Sequence, residues 1–305
     1  MNINEYYLCI DLGGTKLFAC LLNARGVIVR DVTITNHGTT QEDTFSLLCK
    51  TIDSLLAYAF EKDFFVGGLG IGVPGITDFD SGTVIHAPSL HWKNFPLKQR
   101  LAERYSVPIC IENDVNCAAF GLWNSFYPEL HSLSFISVGT GIGCGSVFAE
   151  QIHRGFHFAS GEVGCTLADV TDLHVAHPTF GSMESLASGT GIANQLRHLS
   201  QPDLPAWAQN ATAQEVFAAY RKKDPLAQKI VNNTRDHLAM LIVSVATTLD
   251  PEVIFLGGGV FNTGYFLVPQ LAELAQSKLH FPLKLRLFRQ GQYCTVLGLF
   301  ALLMP

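Results

Sequence analysis

Apolar and polar positions along this chain fall into two rhythms. Short runs of β-branched, aromatic and aliphatic residues bounded by turn formers recur at Tyr7–Leu12, Leu17–Leu22, Val27–Thr33, Val66–Val73, Pro108–Ile111, Leu133–Val138, Cys144–Phe148 and Glu252–Leu256, and predict strands. Thr44–Phe60 instead carries apolar residues at 45, 47, 48, 52, 55, 56, 59 and 60, a spacing close to 3.6 that predicts a helix. Val115–Trp123, Ala213–Tyr220, Leu226–Asp250 and Tyr265–Leu279 read the same way. Asn113 or Asp114 can cap the first of these, and Pro251 stops the longest. The order predicts an α/β protein. A three-strand meander is followed by a helix, a strand, a helix-containing segment and a strand. After about residue 115 come a helix, paired strands around 133–158, several helices, a strand and a final helix. Two similar halves predict an internal duplication. The most loop-like stretch is 200–211, with Pro202, Pro205 and several polar residues.

Three glycine loops interrupt this pattern. Asp11-Leu-Gly-Gly-Thr15, followed by Lys16, lies between two strand-like runs and reads as a hairpin tip with a carboxylate beside it. Gly13 and Gly14 let the backbone approach a bulky anion with successive N–H groups facing it. Thr15 and Lys16 can face phosphate oxygens, and Asp11 can organise Mg²⁺, usually through water. Neither G-x-x-x-x-G-K-[ST] nor G-x-G-x-x-G leading into a helix is present, so this is neither common nucleotide loop. Ser137–Gly145 repeats the strand, Gly/Thr turn, strand logic with Gly139, Thr140 and Gly141. Two such hairpins facing one another could clamp a polyphosphate. Gly257, Gly258 and Gly259 end a strand and leave a backbone bare enough for a flat ring such as adenine. Glu112-Asn113-Asp114 follows a strand and opens a helix, which suits either a helix cap or a carboxylate that accepts a proton from a hydroxyl.

Bulk composition narrows the setting. The 305 residues suffice for two lobes with separate cores, and 48% hydrophobic against 15% charged residues describes a core-rich globular chain. A net charge of −6 without any Lys/Arg block argues against a nucleic-acid surface. The eight cysteines are scattered, form no C-x-x-C pair and mostly lie in apolar runs, so they are expected to act as small buried hydrophobes in a reduced, cytoplasmic protein. The N-terminus has neither the basic nor the apolar region of a signal peptide, and the apolar stretch Leu238–Leu249 is too short to span a bilayer, so a soluble protein is expected.

Seven stretches share sequence and order with one family. They are Asp11-Leu-Gly-Gly-Thr-Lys16, Gly72-Val-Pro-Gly75, Glu112-Asn-Asp-Val-Asn-Cys-Ala-Ala119, Val138-Gly-Thr-Gly-Ile-Gly143, Gly161-Glu-Val-Gly164, Met183-Glu-Ser-Leu-Ala-Ser-Gly189 and Asp250-Pro-Glu-Val-Ile-Phe-Leu-Gly-Gly-Gly259. Over nearly its whole length the chain resembles the ROK family, bacterial sugar kinases and related repressors of the actin/hexokinase/Hsp70 superfamily. The resemblance implies a two-lobed actin-like ATPase fold (ribonuclease H-like), with a duplicated mixed sheet flanked by helices and a cleft between the lobes. Residues 1–115 plus about 290–305 would form a smaller N-terminal lobe and 116–289 a larger C-terminal one.

The same resemblance implies an ATP- and Mg²⁺-dependent kinase acting on the 6-hydroxyl of a hexose, with Asp114 as base and Asn113, Glu162 and Glu184 as sugar partners. Phosphoryl transfer needs in-line positioning, charge neutralisation and a base, which such residues supply. Glucose is the first expected substrate. N-acetylmannosamine or N-acetylglucosamine comes next, and fructose or allose is possible. A repressor would carry an N-terminal helix-turn-helix, for which a strand starting near residue 7 leaves no room; a catalytically silent sugar sensor is the remaining alternative. A homodimer is the family-level expectation.

Two departures concern the sugar pocket. Ser89, in Ala87-Pro-Ser-Leu-His-Trp92, replaces the family's usual Asn. Cys165 stands where a His normally contacts the sugar and joins three Cys in a structural zinc site; Val175, His177 and Ser182 occupy the three Cys positions. A site rebuilt from His174, His177 and Cys165 would demand special geometry, so no structural zinc is expected.

Overall fold

The computed structural model describes residues 4–174, 181–197 and 204–304. In chain order its first elements are β1 (Glu5–Leu12), β2 (Lys16–Asn23), β3 (Ile28–Thr35), α1 (Gln41–Glu61), β4 (Phe65–Val73), β5 (Ile76–Asp78), β6 (Thr83–Ala87), β7 (Trp92–Phe95), α2 (Leu97–Ala102), β8 (Ile109–Asn113) and α3 (Asp114–Phe126). They are followed by β9 (Ser132–Val138), β10 (Ile142–Phe148), β11 (Gln151–Ile152), α4 (Ser182–Ala187), α5 (Gly189–Arg197), α6 (Ala213–Arg221), α7 (Pro225–Leu249), β12 (Ile254–Gly257), α8 (Gly259–Gly264), α9 (Val268–Gln276), β13 (Leu285–Leu287) and α10 (Gly291–Leu303). Every expected strand and every named helix is present among them. The expected helix at Tyr265–Leu279 is α9 preceded by a single 3₁₀ turn. The small β5-β6-β7 sheet escaped the periodicity because its strands are three to five residues long and polar, as in Thr77-Asp78 and Lys93-Asn94. Of the loop-like stretch 200–211, residues 200–203 lie outside the described residues.

The duplication appears in the topology. The first sheet runs β3-β2-β1-β4-β8 and the second β11-β10-β9-β12-β13. In the first, β1 pairs antiparallel with β2 and parallel with β4, which pairs parallel with β8. In the second, β10–β11 is antiparallel while β12 is parallel to both β9 and β13.

The chain divides into two compact units. One comprises residues 1–130, 145–160 and 291–305, the other 131–144 and 161–290. The sequence boundary at 115–116 therefore cuts off α3, which belongs with the first unit because it packs against α10. Gly121 and Gly298 make that crossing tight. A Cβ on Gly298 would stand 2.0 Å from the Cys117 carbonyl oxygen, and one on Gly121 2.0 Å from that of Cys294.

In the first unit α1 begins with a capping box, Thr40 accepting the Asp43 N–H while the Asp43 carboxylate accepts the Thr40 N–H. Its buried face, Phe45, Leu48, Ile52 and Leu55, packs with Leu8, Ile10, Leu69 and Ile71. The other sheet face is shaped by glycine. On β4, Gly68, Gly70 and Gly72 alternate with Leu69, Ile71 and Val73, and the three glycines meet Leu303, Leu299 and Thr295, successive turns of α10. Cys9, Cys20 and Cys117 fill the same layer beside Val296 and Leu299. Six of the eight cysteines are buried; Cys110 is half-buried and Cys165 exposed. In the second unit α7 starts on Asp224, whose carboxylate accepts the N–H groups of Leu226 and Ala227, and ends at Asp250, which takes φ 44°. No described helix is long and apolar enough to cross a membrane.

Because the obstacle at Gly298 is backbone rather than a mobile side chain, Gly298→Ala is expected to lower stability by about 1–3 kcal/mol or more. The check is the midpoint of urea unfolding with the slope unchanged.

Candidate active site

Three parallel strands of the first unit bring the acidic residues together. Asp11 on β1 lies in register with Gly72 on β4, and Gly72 with Glu112 on β8. These are the carboxyl ends of parallel strands, where α/β sheets place ligands. Asp114 begins α3 immediately afterwards, its Cα 3.4 Å from where a Gly72 Cβ would stand, with Thr295 Cγ2 at 2.9 Å from the same point. Asp11 and Asp114 therefore gather around a position without a side chain. Burial raises the Asp11 carboxyl to about 7, helped by the negative Asp114 and opposed by Lys16. Burial raises Asp114 to about 6, opposed by N–H donors that include Val115, whose N–H lies 2.9 Å from Oδ1.

Neighbouring side chains hold this corner rigid. Asn113 is the cap of α3: its Oδ1 accepts the Val115 and Asn116 N–H groups, both at 2.9 Å, while Nδ2 donates to the Gly75 carbonyl. Its carbonyl lone pairs are thus taken, and one Nδ2 hydrogen remains to offer a ligand. Gly75 takes φ 81° against the His86 carbonyl, so the Gly72-Val-Pro-Gly75 stretch presents that acceptor. Glu112 is buried; Oε1 accepts the Asn113 N–H and Asn116 Nδ2, and Oε2 accepts Arg154 Nε at 2.6 Å. The Arg154 guanidinium lies over the Phe79 ring at 3.9 Å. Sequence reasoning missed Arg154, which stands between His153 and Gly155 in no motif.

The first hairpin tip is braced from outside. Gly13 N–H closes the turn on the Lys16 carbonyl, Asn36 Nδ2 donates to the Gly13 carbonyl, and Asn36 N–H donates to that of Thr15. Asn36 was another residue without a sequence signal. Lys16 and Thr15 are exposed, and Lys16 Nζ donates to Gln292 of α10. Gly14 is tight against Ser89, whose Cβ and carbonyl lie 2.8 and 3.0 Å from a Gly14 Cβ position. Ser89, expected beside the sugar, is thus brought to the hairpin glycine.

The second unit assembles the other two glycine loops and the remaining acids. Gly257 pairs with Ser137, placing the end of β12 beside the β9–β10 turn. Gly258 takes φ 92° against Val138, and Gly257 abuts the Phe135 ring, so packing accounts for both. Gly139 and Gly259 differ: neither has positive φ, and a Cβ on either would meet nothing within 4 Å. Among the described residues, neither packing nor backbone conformation requires glycine at these two positions. As in the first hairpin, the leading amide is consumed, Gly139 N–H donating to the Gly141 carbonyl, while the Gly189 and Thr190 N–H groups bond the carbonyls of Gly139 and Thr140. Gly141 presses on Glu184, whose Oε2 accepts the Ile142 N–H at 2.6 Å. Glu162 precedes the turn Val163–Cys165, and Cys165 N–H donates to its carbonyl. Although Cys165 is exposed as a residue, partial desolvation raises its thiol, as do the negative charges of Glu162 and Glu184; a Cβ on the neighbouring Gly164 would stand 3.1 Å from Glu184 Oε2. Glu184 is also raised by burial, against the Ile142 N–H.

Residues 7–304 match the ROK family. The chain belongs to that family. Among ROK relatives it is 29% identical to a glucokinase of Halalkalibacterium halodurans, over 88% of this chain and 85% of that one. It is 25% identical to the xylose repressor of Caldicellulosiruptor bescii over 96% of this chain and 76% of the repressor. With an N-acetyl-D-glucosamine kinase of Escherichia coli O157:H7 it shares 26%, over 84% of each. The fold matches that of a ROK glucokinase from Streptomyces griseus solved with glucose and AMPPNP, with a TM-score of 0.79 at 22% identity over 97% of this chain and 98% of that one. The actin-like ATPase fold expected from the motifs is the fold found.

The residues at the family's zinc positions do not fit that metal. The valine at position 175 carries no atom that can ligate, and Ser182 donates its hydroxyl hydrogen to Asp172. Val175 and His177 lie outside the described residues. Magnesium is a better match for Asp11, since a divalent cation relieves the like-charge pressure of Asp114.

The acids carry a stability signature. Asp11 binds its proton more tightly folded than unfolded, where a carboxyl titrates near 3.9, so this group makes stability fall as pH rises from about 4 to about 7. Asp11→Asn is therefore expected to raise Tm at pH 8, by several degrees, with the gain vanishing near pH 4. Thermal melts across that range check it.

Proposed function

We propose that this ROK protein transfers the γ-phosphate of ATP to the 6-hydroxyl of a hexose, with glucose as the preferred substrate. The observation that carries the reading is the Asp11–Asp114 pair around Gly72, with Asp114 raised to about 6. A base whose pKa lies just under working pH is ionised yet still accepts a proton readily. Asp114 takes the hydroxyl proton as the sugar oxygen attacks the γ-phosphorus, and ADP leaves with the electron pair of the broken P–O bond. Asn113 donates its remaining Nδ2 hydrogen to a sugar oxygen and holds the start of α3 in place. Glu162 and Glu184 accept sugar hydroxyls, a task that suits carboxylates because each reads two hydroxyl directions. Asp11 would hold Mg²⁺ through water, which supplies charge neutralisation on the phosphates.

Because Gly13 and Gly139 close their own turns, the candidate phosphate-facing amides are those of Gly14 and Thr15 in the first unit and, separately, those of Thr140 and Gly141 in the second. Gly259, rather than Gly257 or Gly258, is the glycine that admits the nucleoside. The relative from Escherichia coli O157:H7 favours an N-acetylated hexosamine as the second candidate substrate. A homodimer and a cytoplasmic setting complete the proposal on family grounds.

A coupled ADP-release assay over glucose, mannose, fructose, allose, N-acetylglucosamine and N-acetylmannosamine tests the reading. Turnover is expected with at least one, with glucose highest, and none with Asp114→Ala. Silence on the whole panel would make the protein a sugar sensor. The wild-type kcat/KM is expected to fall about tenfold per pH unit below about 6. Gly139→Ala and Gly259→Ala are expected to raise the KM for ATP severalfold while Tm stays within a degree or two, because a Cβ at either position meets none of the described residues within 4 Å.

A further inference from the structure

The two segments that carry Glu162 and Glu184 are joined by a row of contacts outside the chemistry described so far. Gly181 packs on Gly164 and Cys165, a Cβ there lying 2.1 Å from the Gly164 carbonyl oxygen. Met183 N–H donates to the Thr166 carbonyl at 3.0 Å. Between them stands Ser182, 2% exposed, at the first position of α4. Its hydroxyl accepts the Ala168 N–H at 2.9 Å and donates to Asp172 Oδ2, and the same Oδ2 faces the N–H groups of Ala168 at 3.1 Å and Asp169 at 3.0 Å. One carboxylate oxygen thus gathers two backbone amides and one buried hydroxyl, a charge-assisted cluster of the strong kind. It ties the loop after Cys165 to the helix turn that bears Glu184. Ser182 occupies a position where the family pattern has a zinc-binding Cys.

We propose that Asp172 and Ser182 are positioning residues: their hydrogen-bonded latch takes the place of a metal and sets Glu184 relative to Glu162 and Cys165 for hydroxyl binding. The latch works by fixing one loop against one helix start. Its acceptor oxygen is what holds the three donors together, and the charge strengthens those bonds. This inference rests on the reading of Glu184 as a sugar partner, while the latch itself is testable without turnover.

The experiment compares wild type, Ser182→Ala, Asp172→Ala and Asp172→Asn, in which the amide oxygen still accepts. Hydrogen exchange of the Ala168 and Asp169 amides is expected to be slow in wild type and at least tenfold faster in Asp172→Ala. The KM for the sugar that turns over is expected to rise about tenfold in Ser182→Ala and Asp172→Ala, with the KM for ATP and kcat within about twofold, and to be largely restored in Asp172→Asn. Elemental analysis of wild type is expected to find no stoichiometric zinc, and chelator treatment to leave the sugar KM unchanged. Fast exchange of both amides in wild type overturns the proposal even if the variants do not fold. So do an unchanged sugar KM in both alanine variants, Asp172→Asn as impaired as Asp172→Ala, or one zinc per chain. Absence of turnover with any sugar would instead remove the kinase reading and leave the exchange arm to decide the latch.

Discussion

The close approach of α10 to β4 is the constraint on which the first unit depends. Gly68, Gly70 and Gly72 strip one face of a central strand, so Leu303, Leu299 and Thr295 settle directly on its backbone. A helix seated that low meets α3 at Gly121 and Gly298, where backbone touches backbone. Through this stack the start of α3, and with it Asp114, is brought to the end of β1 and Asp11. Thr295 closes the chain of contacts by bonding the Asp114 carbonyl. The alternating Leu69, Ile71 and Val73 meanwhile bury the opposite face against α1, so one strand serves two cores with two different side-chain volumes.

The acidic corner pays for its proton affinity in stability, a common arrangement where chemistry needs a base near neutrality. Two carboxyls share a partly buried corner, and the nearby cations are placed elsewhere: Lys16 reaches Gln292, and Arg154 is committed to Glu112 and the Phe79 ring. Glu112 in turn fixes the first turn of α3 through Asn113 and Asn116. The ion pair is therefore better understood as an orienting device than as a source of net stability, since burying both charges costs much of what their attraction returns.

The duplicated sheets explain why two glycine hairpins look alike. In each, the first glycine amide closes the turn, on the Lys16 carbonyl in one and on the Gly141 carbonyl in the other. The glycines nonetheless do unequal work. Gly14 is bare because Ser89 is close, Gly141 because Glu184 is close and Gly258 because its φ is positive, whereas a Cβ on Gly139 would meet none of the described residues within 4 Å. Composition alone treats all four the same.

While α10 and the small β5-β6-β7 sheet became visible only in the structure, the sequence by itself determined the eight strands and five helices it named, the ordered glycine loops and the identity of the acidic residues. Those features follow from periodicity and turn chemistry acting over a few neighbouring residues. It also disclosed the family, because seven short stretches in one order cannot arise from composition. Tertiary structure alone decided the partnerships: Asp11 with Asp114, Glu112 with Arg154, Asn36 with the first hairpin, and Ser182 with Asp172. It also showed that Asn113 spends its oxygen on the α3 cap, and that α3 sides with α10 rather than with the residues after it. A side chain's partner depends on which distant backbone reaches it. A raised proton affinity depends on how much water that packing removes, and neither quantity is written at any single position of the chain.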